Sequence, residues 1–166
     1  MIRYPQPITR EWIQQTSDID LPRLLWDYLL EWYETHRGDA NPRELPIGLR
    51  VVHDYTRFDS DLLNGGIVQY FQNHTPREVH EMLQTLRRIG AVESAEVLAK
   101  AIEVFIRKFD WPAESDERWR DREAYGDPEL QSLDEVRSNE ESSARDYDLV
   151  SAYCRSHPDE CIFPAL

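Results

Sequence analysis

Apolar residues recur at helical spacing through most of the 166-residue chain, and no two alternating segments form a strand pair. The clearest helical pattern begins at Thr75-Pro76-Arg77-Glu78, a capping box with proline in the first helical position, and it ends at Gly90. A second pattern opens with Asp20 and Pro22. These patterns predict an all-α fold, a single-domain bundle of about six to eight helices.

The length fits one domain, since domains commonly run from about 100 to 200 residues. We expect residues 1–44 to form a helical arm that packs on a core domain over residues 45–166, the whole being one globular unit. The helix that opens at Pro46 is predicted to end near Asp59. Beyond Pro112 the pattern predicts a covering layer of shorter helices.

Charge is unevenly distributed along the chain, which has 32 acidic and 19 basic residues and a formal net charge of −13. Residues 1–90 hold 13 acidic and 10 basic residues (net −3), whereas residues 91–166 hold 19 and 9 (net −10). A negative surface repels nucleic acids and anionic membranes and attracts basic proteins. The composition therefore predicts a basic protein partner.

Cysteine content and hydrophobicity give expectations about the compartment. Cys154 and Cys161 are too few for a disulfide scaffold and lack the spacing of metal ligands, so we expect reduced thiols. No uncharged apolar stretch has the length of a membrane span, and we predict a cytoplasmic protein.

The pair Gly65-Gly66 interrupts an apolar pattern that is otherwise helical. Each glycine in a helix costs about 1 kcal/mol relative to alanine, so the pair indicates a local kink or the close approach of another helix backbone. Gln69 and Asn73 are four residues apart and share a helical face, where their amides can bond each other or nearby helix ends. We interpret this polar stripe as scaffold rather than as a ligand site.

The sequence Asn64-Gly65-Gly66, followed by Gln69-Tyr70-Phe71 and Asn73, resembles the N-G-G-x-x-Q-Y-F-x-N motif of a bacterial family of DNA-mimic proteins. Residues 83–91 are similar to the L-x-x-I-G-A helix end of that family, and the resemblance covers residues 45–163. It implies an all-α fold, often a homodimer, and an acidic surface that occupies the DNA-binding face of a transcriptional regulator.

Carboxylates at i and i+4 on a helix lie about 6 Å apart, close to the spacing of phosphates along one DNA strand. Residues 110–148 hold 14 acidic and 5 basic residues. We expect helical ion pairs to neutralise three of the acids, joining Glu114 to Arg118, Asp116 to Arg120 and Glu141 to Arg145. The remaining candidates for partner binding are Glu117, Asp121, Glu123, Asp127, Glu129, Glu135, Glu140, Asp146 and Asp148. Of these, Asp127, Asp146 and Asp148 also suit helix caps or turns.

The sequence contains no nucleophile elbow and no metal-binding helix motif, and its five histidines are dispersed. We therefore predict a non-enzymatic protein without a metal or cofactor. Two alternatives remain open. One is a small ligand-binding or hydrolytic domain that uses Gln69, Asn73 and His74, although a capping role suits His74 better than that of a general base. The other is an immunity or antitoxin-type protein, which differs only in its basic target.

Overall fold

The computed structural model describes residues 7–36, 41–137 and 140–163 of the chain. This part contains seven α-helices and no β-strand, so the predicted all-α fold is confirmed. The helices are α1 (Arg10–Gln15), α2 (Leu21–Thr35), α3 (Ile47–Asn73), α4 (Pro76–Ile89), α5 (Val92–Phe109), α6 (Pro128–Arg137) and α7 (Glu140–Ser156). In the same ranges, no helix combines the length and the hydrophobicity that crossing a membrane requires.

The chain forms two compact units. The first unit takes its described residues from 1–56 and 146–166, and the second unit from 57–145. The predicted arm over residues 1–44 coincides with neither unit, and its packing on a core domain stays a prediction.

Within the first unit, α2 buries one apolar face. Asp20 precedes this helix as predicted, but its carboxylate makes no capping bond and accepts hydrogen bonds from Ser17 and Arg23 instead. Near the end of α1, the Arg155 guanidinium donates to the carbonyl oxygens of Ile13 and Gln14, both at 2.9 Å. Charged side chains therefore organise the helix ends of this unit.

Within the second unit, the predicted capping box at the start of α4 is confirmed. The Thr75 hydroxyl accepts from the Glu78 amide at 3.3 Å, and the Glu78 carboxylate accepts from the Thr75 amide at 2.7 Å. Gly90 ends α4 in the left-handed conformation, and α5 then packs against α4. The core includes Phe71, whose ring stacks on Phe105 with centroids 3.9 Å apart.

The prediction that the third helix ends near Asp59 is wrong, because α3 continues to Asn73. Its backbone leaves helical geometry only at Gly65 and Gly66, where Gly66 has a φ of +74°. The kink predicted for the glycine pair is therefore confirmed. We call residues 67–73, the part of α3 after the kink, the post-kink segment.

The segment after α5 also differs from its prediction. Asp110 ends α5 with a φ of +48°, and no α-helix forms in residues 110–122. The predicted helical pairs of Glu114 with Arg118 and of Asp116 with Arg120 are absent from the described structure, because they need a helical backbone. Asp116 instead lies 3.3 Å from Arg77.

Candidate functional site

The motif glycines create a connection between α3 and α6. The Ile67 amide, the first donor after the kink, donates to Oδ1 of Asp134 at 2.6 Å. A Cβ atom on Gly66 would lie only 2.4 Å from the other oxygen of this carboxylate, so the close approach requires glycine. The group that comes closest to Gly66 is thus a side chain of α6 and not the helix backbone that the glycine pair predicted.

The motif amides do not bond each other but converge on Asp61. Gln69 and Asn73 both donate to Oδ1 of Asp61, at 3.1 and 2.7 Å, and His74 Nε2 lies 2.9 Å from Oδ2. We call these four residues the Asp61 cluster. The spacing of Gln69 and Asn73 did not reveal Asp61 as the centre of the cluster, because Asp61 lies 8 and 12 positions before them, on the other side of the kink.

The electrostatics of the cluster favour ionised carboxylates. Burial raises the pKa of Asp61, but hydrogen bonds from His74, Gln69 and Asn73 outweigh it and hold the pKa below its ordinary value. Burial also raises the pKa of Glu78, yet the Thr75 amide bond and the charges of His74 and Arg57 lower it overall. The cluster therefore joins the part of α3 before the kink, through Asp61, to the post-kink segment and His74 by charge-assisted bonds.

The donors of the Asp61 cluster are engaged by Asp61, although only His74 is buried, Gln69 is half-buried and Asn73 is exposed. His74 is 3% exposed, and its imidazole packs on the Tyr70 ring with centroids 4.4 Å apart. Tyr70 and Phe71 are themselves buried. This arrangement supports the scaffold interpretation of the motif over the ligand-binding alternative. In the described residues, no group of three or more His, Cys, Asp or Glu side chains is placed to hold a metal ion.

The predicted partner-binding acids are divided between the two units. Asp146 and Asp148 lie in the first unit and the other seven in the second. The side chain of Glu140 lies outside the described part of the structure. Asp146 is 1% exposed, so its carboxylate is not on the surface.

Two of the acids in the second unit are neutralised by cations from α5. Lys108 Nζ lies 2.8 Å from Asp127 and 2.9 Å from Glu129, and Arg107 donates to Glu129 at 2.8 Å. Hydrogen bonds from Lys108 and Arg107 lower the pKa of Glu129. Asp127 also accepts from the amide of Leu130 at 3.1 Å, so its predicted role as a helix cap is confirmed.

Four of the acids keep exposed carboxylates. These are Glu117, Glu123, Glu135 and Asp148, and no ion pair or hydrogen bond to their carboxylates occurs among the described residues. Asp121 is half-buried, and its carboxylate accepts from the Glu123 amide at 2.8 Å. Among the predicted acids of the second unit, the exposed and unneutralised ones are therefore Glu117, Glu123 and Glu135.

The loop that carries Glu117 and Glu123 is anchored by its inward side chains. The Trp119 ring packs edge-on against Phe105, with centroids 5.2 Å apart. The Gln72 amide donates to the Asp121 carbonyl oxygen at 2.6 Å. A loop without helical hydrogen bonds is thereby held in one position on the second unit.

Three exposed arginines, Arg118, Arg120 and Arg122, alternate in this loop with the half-buried Trp119 and Asp121. Arg118 and Arg120 were predicted to form helical ion pairs, and the exposure of all three arginines was not predicted. The alternation of arginines with Trp119 and Asp121 predicts this exposure only for an extended loop, because successive side chains of an extended chain point to opposite sides. The loop therefore presents both signs of charge.

Comparison with protein families gives a match to the model described as DMP19-like protein, over residues 43–157. The matched range contains the Asp61 cluster, the kink and the arginine-bearing loop. Comparisons with curated proteins and with solved structures give no match.

Proposed function

The chain belongs to the DMP19-like protein family, and on that premise we propose that it is a non-enzymatic acidic protein that occupies the DNA-binding face of a basic regulatory or nucleic-acid-binding protein. The family is one of DNA mimics and is not a known enzyme family. The proposal includes a cytoplasmic location and, following the family resemblance, a homodimer.

The observation that carries the proposal is the set of carboxylates that are exposed and unneutralised among the predicted acids of the second unit. We assign partner contact to Glu117, Glu123 and Glu135, which we call the docking acids. Asp127 and Glu129 are omitted because Lys108 already neutralises them. Asp146 is omitted because it is buried.

Electrostatic attraction between the acidic chain and a basic partner would speed association and weaken as salt is added. The exposed side chains of Arg118, Arg120 and Arg122 oppose this attraction locally. The proposal therefore requires that cations of the partner meet individual docking acids, since a uniform negative field is absent from this loop. Such pairing makes binding depend on geometry as well as on net charge.

Charge reversal tests this assignment. The immobilised protein is used to capture proteins from the heparin-binding fraction of a bacterial lysate, and the captured protein is identified by mass spectrometry. The variant Glu117→Lys/Glu123→Lys/Glu135→Lys changes the net charge by six units, from −13 to −7. The matched control Glu11→Lys/Glu34→Lys/Glu44→Lys makes the same change at exposed acids of the first unit.

We expect reversal of the docking acids to abolish capture and the control to retain most of it. Equal losses in the two variants would mean that only total charge matters, and undiminished capture by both would reject the proposed function. An immunity or antitoxin-type role gives the same pattern and is distinguished by the identity of the captured protein.

A further inference from the structure

We infer that Gln72 is a positioning residue for the docking acids: it holds the loop over residues 114–123 in the orientation that presents Glu117 and Glu123 to the partner. The inference rests on the proposed function and identifies which contact of the scaffold gives the docking acids their geometry.

Both ends of the Gln72 amide are used. Its Nε2 donates to the Asp121 carbonyl oxygen at 2.6 Å, and its Oε1 accepts from the Tyr125 hydroxyl at 3.5 Å. The two partners flank Glu123 in the sequence. Gln72 therefore forms hydrogen bonds to the chain on both sides of the docking acid Glu123.

The loop depends on such contacts because its backbone lacks helical hydrogen bonds. At its start, the Arg77 amide donates to the Ser115 carbonyl oxygen at 3.4 Å. In its middle, Trp119 packs on Phe105. At its end, Gln72 fixes Asp121, whose carboxylate accepts from the Glu123 amide at 2.8 Å. Loss of the Gln72 bond would free Asp121. Because the Glu123 amide donates to the Asp121 carboxylate, Glu123 would then lose its fixed position.

The direction of the Gln72 side chain is set by its neighbours in the motif. Phe71 is buried against Phe105, and Asn73 is bonded to Asp61, so the rotation of the post-kink segment is fixed on both sides of Gln72. The same segment is also bonded to α6, which carries Glu135, because the Ile67 amide donates to the Asp134 carboxylate. The post-kink segment thus supports both chain segments that bear docking acids.

Three variants at exposed or half-exposed sites test this role. Gln72→Ala removes both bonds without changing charge. Gln72→Glu keeps the length and the acceptor but places a carboxylate against the Asp121 carbonyl oxygen, and it adds one negative charge. Gln84→Ala is the control, because Gln84 is exposed on α4 and has no hydrogen bond in the described residues.

Hydrogen exchange followed by mass spectrometry reports on the loop without any partner. For Gln72→Ala we expect amides of residues 116–124 to exchange roughly threefold to tenfold faster, the effect of one lost hydrogen bond, with the rest of the chain unchanged. Gln84→Ala should match the wild type. Unchanged exchange in Gln72→Ala would overturn the inference.

Binding is measured with the captured protein as the rigid probe and with decalysine as a flexible polycation. We expect both Gln72 variants to bind the captured protein several-fold more weakly, although Gln72→Glu is the more negative. Decalysine, which responds to net charge, should bind Gln72→Ala like the wild type. A loosened loop with undiminished binding of the captured protein would also overturn the inference.

The proposed function fails separately, through the charge-reversal variants. If reversal of the docking acids leaves capture intact, or if no basic protein is captured, that function is rejected, and hydrogen exchange alone decides whether Gln72 positions the loop.

Discussion

The backbone amide of Ile67 donates a 2.6 Å hydrogen bond to the carboxylate of Asp134, which lies 67 positions later in the sequence. Amides at the start of a helix have no partner within the helix, and an acidic side chain is a favoured acceptor for them. Here the acceptor comes from another helix, α6, and the kink at Gly65-Gly66 exposes the donor. The glycine motif therefore makes possible a hydrogen bond that joins α3 to α6 in the second unit.

Replacement of Gly66 tests this joint. Gly66→Ala should lower the free energy of unfolding by about 2 to 4 kcal/mol, because the residue has a φ of +74° and its new Cβ would meet Asp134. Gly90→Ala, with a φ of +80° but open space around it, should lose about 1 kcal/mol. Gly126→Ala, with neither constraint, is the reference. Equal unfolding midpoints in urea for Gly66→Ala and Gly126→Ala would contradict the role of Gly66 in joining α3 to α6.

The buried ion pair of the second unit gives another test. Arg137 and Asp59 are 1% and 4% exposed and 3.4 Å apart, and Arg137 also donates to Ser94 at 2.8 Å. Arg137→Met should destabilise the protein by about 3 to 5 kcal/mol, because a buried carboxylate loses its cation. The double variant Asp59→Leu/Arg137→Met should recover most of this loss. Urea unfolding of Arg137→Met, Asp59→Leu and the double variant measures the coupling, and additive losses would show that the two charges act independently.

Acidification should act through Asp61. Because its folded-state pKa lies below the unfolded value, the carboxylate stabilises the fold above about pH 4, and this contribution is lost as the pH falls through the folded-state pKa. Asp61→Asn should cost about 1 to 3 kcal/mol at neutral pH, the value of charge-assisted hydrogen bonds. The variant should also lose less stability on acidification. Thermal unfolding from pH 7 to pH 3 measures both effects, and identical acid sensitivity of variant and wild type would contradict the role of Asp61.

Local signals predicted the helices well, and long-range partners account for what was missed. The capping box at Thr75 lies within four residues, so the sequence alone reveals it. The predicted end of α3 near Asp59 was wrong, because the helix continues to Asn73. In the structure Asp59 instead meets Arg137, 78 positions away, and Asp61 meets His74. Spacing along the chain contains no sign of such partners.

The same limit applies to the partner-binding acids. Helical spacing predicted that arginines four residues later would neutralise Glu114 and Asp116. Asp110, however, ends α5 in the left-handed conformation, and residues 110–122 contain no α-helix. Lys108, the cation that neutralises Asp127, lies 19 positions away from it. Which of the acids are neutralised depends on such tertiary contacts and was not predictable from charge counts.

Reversing the charge of the exposed arginines should have the opposite effect on binding from reversing the docking acids. Arg118→Glu/Arg120→Glu/Arg122→Glu changes the net charge from −13 to −19 and should strengthen binding of the captured protein, with a steeper dependence on salt. The control Arg50→Glu/Arg88→Glu/Lys100→Glu makes the same change elsewhere. Isothermal titration at several salt concentrations compares them, and equal gains would place the partner away from this loop.

The most direct measurement of DNA mimicry is competition for the partner. A complex of the captured protein with fluorescently labelled duplex DNA is titrated with the wild-type protein, and the anisotropy of the label is recorded. We predict that the anisotropy falls to the value of free DNA, and that the variant with reversed docking acids leaves it unchanged. A rise in anisotropy, which would show that DNA and the protein bind the partner together, would contradict the proposed function.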